Sequence, residues 1–175
     1  ETASGLYSEN LAAHVDADDR GGDYIFTEFE SPSLAAKPEQ FFNDQYEFTI
    51  RNMIDHVIDT EGPIHADVLA RRIARHHGFK KAGSRIRDRV MSIAKNRRGS
   101  THEYTGQFFW QKGTVKERLT QLRYRNRDDE MRKVEYICKE ELQAIDRKLG
   151  LHGDVVALSR ALGLTRLREV SRQRL

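Results

Sequence analysis

Residues 62–96 read GPIHADVLARRIARHHGFKKAGSRIRDRVMSIAKN. Apolar and basic positions alternate here at three- and four-residue intervals, the period of a helix with one buried face. Val68, Leu69, Ile73 and Ala74 predict a helix over Ala66–His76 that stops at Gly78. After the turn Gly78-Phe79-Lys80-Lys81, Ile86, Val90 and Ile93 line one face of another, from Ala82 or Ser84 to Asn96. Upstream, Phe42, Tyr46, Ile50, Met53, Ile54, Val57 and Ile58 recur at the same spacing and end at Gly62-Pro63, which predicts a helix over roughly 39–60. Downstream, Ser100–Trp110 carries β-branched and aromatic residues on both sides of Gly106, the pattern of two short antiparallel strands.

Helix, helix, helix, hairpin is the order of a winged helix-turn-helix over 39–112; a plain helical domain with an incidental hairpin is the alternative. Residues 1–38 read as an arm or linker around one candidate strand, Tyr24–Phe29. Residues 113–127 read as a polar linker, and 128–175 as a small helical unit with helices over Glu130–Leu149, Gly153–Leu162 and Arg166–Arg174. The expected fold class is therefore mainly α with a small β-hairpin. Gly78–Val90 also aligns with Gly163–Leu175 at a constant offset, as a degenerate repeat of one helix-turn-helix unit would.

Charge gives this order a functional direction. Residues 63–98 hold eleven Lys/Arg against two acids, whereas residues 1–62 hold three against fourteen, within a formal net charge of only +3. A basic block folded into helices points to a nucleic-acid surface. On the helix after Lys81, Arg87, Asp88, Met91 and Lys95 lie opposite the apolar arc, with Arg85, Arg89 and Ser92 on its flanks. Arginine and lysine there can reach phosphates or the edge of guanine. Lys80, Lys81 and Ser84 stand at the turn before it, suited to a backbone phosphate. Arg71, Arg72 and Arg75 either cross the backbone or pair with acids of the preceding helix. His102, with Thr101 and Tyr104, sits on the first strand of the wing, whose tip is suited to a minor groove or to strand separation. Phe108, Phe109 and Trp110 are assigned to the core rather than to base stacking.

Other chemistries lack their residues. His76 and His77 are neighbours pointing apart on a helix, and His65 beside Asp67 suits a helix cap better than a metal. No glycine-rich loop ending in Gly-Lys-Ser/Thr is present, and the acidic pairs Asp18-Asp19 and Asp128-Asp129 stand without catalytic partners. No enzymatic role, cofactor, metal or small-molecule substrate is expected of this stretch. Cys138, the single cysteine, rules out an internal disulfide and is read onto a helix face. No apolar run suits a membrane span, and a soluble cytoplasmic protein is expected. Beginning at Glu1, the sequence reads as a piece of something larger.

The segments Gly62–Arg75 and Gly78–Val90 resemble an uncharacterised domain at the carboxyl end of very large bacterial proteins related to superfamily 1 DNA helicases. Gly62, Pro63, His65, Gly78, Arg85 and Arg87 carry the resemblance, with Phe109-Trp110 and the later Glu140-Glu141-Leu142 and Gly163–Arg168. It implies a parent with a helicase-type ATPase core and often a very-short-patch-repair-like endonuclease domain upstream, neither within these residues. The expected function is a non-catalytic DNA-binding or DNA-positioning accessory domain, its partners being duplex or forked DNA and the parent's ATPase and nuclease domains. The alternative is a protein–protein or interdomain docking module with a basic face.

Overall fold

Gly62-Pro63, joined by a cis peptide bond, separates the first long helix from a short strand in the computed structural model of the chain. The structure describes residues 22–114, 116, 123–124, 132–162 and 168–175. They divide into two units: one is Ile25–Thr114, and the other combines the described residues up to Tyr24 with those from Val115 onward.

In chain order the elements are β1 (Gly22–Asp23), α1 (Glu47–Glu61), β2 (Ile64–His65), α2 (Ala66–His76), α3 (Ser84–Lys95), β3 (Ser100–Glu103), β4 (Gly106–Phe109), β5 (Arg123–Tyr124), α4 (Lys139–Leu149), α5 (Val155–Ala161) and α6 (Glu169–Arg174). The unit Ile25–Thr114 thus holds three helices and a three-stranded antiparallel sheet in the order β2-β4-β3. Ile64 pairs with Phe109 and His65 with Phe108 on one edge of β4, while Ser100–Glu103 pairs with Gly106–Phe109 on the other. The strand β2 lay outside the sequence reading. It makes β4 central, and Phe108, Phe109 and Trp110 are accordingly all buried.

The core of this unit joins Ile50, Met53, Ile54, Val57 and Ile58 of α1 to Leu69, Ala70 and Ile73 of α2 and Val90, Ile93 and Ala94 of α3. Each row follows the 3.6-residue period, which is why an interior stripe read from spacing becomes an interior face. Met91, expected on the outer face of α3, is buried beside Val90. Gly62 sits where its N–H bonds Ile58 O, and a Cβ would run into that same carbonyl oxygen, so the exit from α1 requires glycine.

Three boundaries differ from expectation. The helix predicted from residue 39 begins at Glu47, because Asn43 is extended and its side chain accepts the Gln45 N–H, breaking residues 38–46 into two 3-10 turns. This shift of phase buries Phe41 and leaves Phe42 exposed. Tyr24–Phe29 forms no strand. Instead the Thr27 N–H bonds Glu61, Phe26 lies under Arg72, and Phe29 stacks on His76 with centroids 3.9 Å apart. Together with the buried Leu34, these contacts make residues 25–37 part of the helical unit.

In the second unit, β1 pairs in parallel with β5. A 3-10 turn at Val134–Tyr136 precedes α4, so the helix expected from residue 130 begins at Lys139, and Cys138 is its buried N-cap rather than part of a helix face. Gly150, at φ +61°, ends α4, and the Asp154 carboxylate caps α5 by accepting the N–H groups of Val156 and Ala157. Val134, Ile137, Leu142, Ile145, Leu151, Leu158 and Leu162 form the apolar cluster. Most of the expected linker lies outside the described residues, as do the first five positions of the proposed repeat. The described end of that repeat is a six-residue helix, against twelve residues in α3.

Candidate nucleic-acid interface

Helix α2 starts where His65, in extended backbone, lets its Nδ1 accept the Asp67 N–H at 3.0 Å. Because Nδ1 accepts, Nε2 carries the ring proton and donates it to Thr105 O at 2.8 Å. One imidazole therefore fixes both the entry of α2 and the tip of the β3–β4 hairpin. Burial holds its pKa below the ordinary histidine value, outweighing the hydrogen bond to Thr105 and the charge of Asp67, while the charges of Arg87 and Arg71 add to the lowering. His76 and His77 have separate employment. His76 Nε2 donates to Leu34 O at 2.6 Å. His77 Nδ1 donates to Ile73 O at 2.7 Å, and its Nε2 lies 3.0 Å from the Tyr46 hydroxyl. The three histidines serve the fold at three different places.

The basic block is sorted by its acidic neighbours. Arg72 Nε lies 3.0 Å from both oxygens of the buried Glu61, and its guanidinium covers the Phe26 ring at 4.7 Å. Of the two readings left open for Arg72, pairing with the first helix is the one observed. Arg98 bridges Asp55 at 2.8 Å and Asp59 at 2.7 Å, and Arg97 reaches Asp55 at 2.6 Å. Burial pushes the Asp55 carboxyl up, but the two guanidinium groups outweigh it and hold its pKa below the usual range. Arg89 donates to Asn43 O at 2.9 Å, and Arg71 donates to Asp67 O at 3.2 Å. Apart from the Arg71 contact within its own helix, these partners are distant in sequence and carry no periodic signal, so charge counting alone could not subtract them.

What stays at the surface is a narrower set. Lys80 and Lys81 are exposed in the turn before α3, Ser84 is its first residue, and Arg85, Asp88, Ser92 and Lys95 are exposed along it. Lys80, Lys81 and Lys95 have no ion pair among the described residues. Arg85 rests its guanidinium over Phe42 at 4.6 Å, which orders the side chain while leaving its charge exposed. Arg87 is exposed and uses Nε on Asp67 at 2.7 Å. Arg75 is exposed near the end of α2, and His102 is exposed on β3. The residues from Lys80 to Lys95 are thus gathered on one helix and its leading turn, with His102 on the hairpin. Gly83, at the N-cap of α3, supplies no side-chain cap to the first amides.

The class defined by these observations is a mainly helical unit with a small antiparallel sheet and one exposed basic helix. Residues 39–88, from the turns before α1 to Asp88 in α3, match a family model described as Protein of unknown function (DUF3320). This supports an uncharacterised domain family for that segment. No curated protein and no solved structure matches the chain.

Proposed function

We propose that residues 25–114 are a winged helix-turn-helix that engages DNA without catalysis, with α3 as the presented helix and β3–β4 as the wing. The element order α1-β2-α2-α3-β3-β4 and the strand order β2-β4-β3 support this reading of the fold. The observation that carries the function is an exposed cationic set, of which Arg87 is ion-paired internally, to Asp67. Lys80, Lys81, Arg85, Arg87 and Lys95 are all exposed on α3 and the turn that leads into it. Cations at that spacing on one helix neutralise successive phosphates, while the uncapped amides at Ser84 and Arg85 suit the same anion. Arg75 and His102 extend the footprint to either side; Arg72, Arg89, Arg97 and Arg98 support the fold behind it. In the larger parent implied by the resemblance, this domain positions DNA for a helicase-type ATPase and an endonuclease-like domain.

A docking module is the second reading, favoured by Asp88 on the same face and by the exposed ring of Phe42 beneath Arg85. Fluorescence anisotropy of the chain with labelled duplex between about 50 and 200 mM salt separates the two. Micromolar or tighter binding that falls steeply with salt, and that weakens at least tenfold in a Lys81→Glu/Arg85→Glu variant of unchanged thermal stability, is expected. Absence of salt-dependent binding favours docking.

A further inference from the structure

The wing tip carries an aromatic ring that the fold does not use. Tyr104 is 76% exposed, more than any other large apolar side chain described. It opens the two-residue turn between Glu103 and Gly106, which are paired across the hairpin. Exposed rings on loops are ordinarily mobile, but this tip is fastened. His65 Nε2 donates to the carbonyl of the adjacent Thr105 at 2.8 Å. Gly106, at φ +136°, packs so closely that a Cβ there would stand 2.5 Å from that same Nε2. Behind the tip, His65 is held by the Asp67 N–H, and Asp67 in turn by Arg87 through its carboxylate at 2.7 Å and by Arg71 through its carbonyl at 3.2 Å. The anchor of the exposed ring is thus itself braced through Asp67, and His102 is exposed two residues before the ring.

A flat, exposed ring on an anchored turn, in the same unit as the basic helix α3, matches a partner that is flat and anionic at once, which describes a nucleobase with its phosphate. In a continuous duplex the base faces are covered by stacking. They become available where the stack ends, at a fork, a frayed terminus or a single-stranded junction. We infer that Tyr104 stacks on the exposed base at such a junction, so that the substrate class of this surface is DNA with an open end. Helix α3 then holds the duplex phosphates while the wing marks where pairing stops. This rests on the DNA reading above and specifies its substrate.

Because the side chain is mostly in solvent, Tyr104→Ala keeps the fold, which thermal melting verifies. Anisotropy of the full chain with a forked duplex and with a closed hairpin duplex of equal length is the test. Wild-type protein is expected to prefer the fork. Tyr104→Ala should lose roughly tenfold on the fork and little on the closed duplex, with Tyr104→Trp restoring the preference. A 2-aminopurine at the junction should change its emission on binding wild type and not on binding Tyr104→Ala. Equal binding of both DNAs by wild type, or an unchanged fork affinity in Tyr104→Ala, overturns the inference and leaves the phosphate-binding surface standing. Loss of all DNA binding in the Lys81→Glu/Arg85→Glu variant, with fork preference insensitive to Tyr104, does the same. If wild type binds neither DNA, the DNA reading itself falls and this inference with it.

Discussion

His65 donates its Nε2 proton to the carbonyl of Thr105, forty positions away in sequence, at 2.8 Å. The other ring nitrogen is occupied as an acceptor for the Asp67 N–H, so the neutral imidazole is the form the fold requires. Protonation at Nδ1 would replace an acceptor with a donor and remove the cap of α2.

The pH dependence follows from that geometry. Burial lowers the pKa of His65, and burial together with the charge of His76 lowers that of His77, each from an unfolded value near 6.5. The folded chain therefore binds fewer protons than the unfolded chain just below pH 6.5. Stability from both groups is complete above that value and declines as pH falls toward the folded pKa values. Melting temperature is expected to drop between pH 7.5 and 5.5. His65→Ala should destabilise Ile25–Thr114 by about 1–3 kcal/mol at pH 7.5, from the lost cap and the lost wing contact. It should also flatten the pH slope, leaving the share due to His77; a slope identical to wild type would show that His65 does not carry it.

Glu61 and Arg72 form the unit's most deeply buried ion pair among the described residues, with Thr27 N–H as a further donor to the carboxylate. Removing either member leaves the other charge in a dry site. Glu61→Gln and Arg72→Met are each expected to cost about 3–5 kcal/mol in urea unfolding. The double variant should be markedly more stable than the sum of the two losses implies, because neither charge is then stranded. Additive losses would mean that the two residues act separately. This prediction also sets Arg72 apart from Lys81 and Arg85, whose charge reversal should leave unfolding almost unchanged.

Local signals made much of this unit legible. Helix α2 is legible to the residue because its cap, His65, and its stop, Gly78, both act within a few positions of its ends. The start of α1 departs from its spacing because Asn43 competes for a backbone amide inside an otherwise continuous apolar rhythm, and one such bond moves Phe42 from inside to outside. The strand Ile64–His65 has only two residues and no period of its own; it exists because Phe108 and Phe109 stand ready to pair with it. Three adjacent buried aromatics on and just after one short strand are the available hint, since a hairpin alone covers only one edge. The candidate surface was legible as a block and not residue by residue. Arg72, Arg97 and Arg98 find their acids eleven to forty-three positions away, beyond any helical spacing.

Glu141 gives the second unit a test of its own. Its carboxylate is fully buried between Arg123 at 2.7 Å and Arg132 at 3.0 Å, and both guanidinium groups lie over the Tyr24 ring. Burial raises the carboxyl pKa, yet the charges and hydrogen bonds of Arg132 and Arg123 outweigh it, so the folded value falls below the ordinary 4.5. The stabilisation is complete above the unfolded pKa and is lost as pH drops through the folded one. Cys138, three residues before Glu141 and buried, is the chain's single thiol and reports opening of this unit. Glu141→Gln strands two arginines and should destabilise the unit by about 3–5 kcal/mol. Modification of Cys138 by dithiodipyridine is then expected to accelerate by roughly a hundredfold to a few thousandfold at pH 7 in native buffer. Wild type should show its own acceleration below about pH 4, with a smaller acid response in the variant. Equal rates for the two proteins at pH 7 would mean that the Arg123–Glu141–Arg132 cluster does not hold this unit closed.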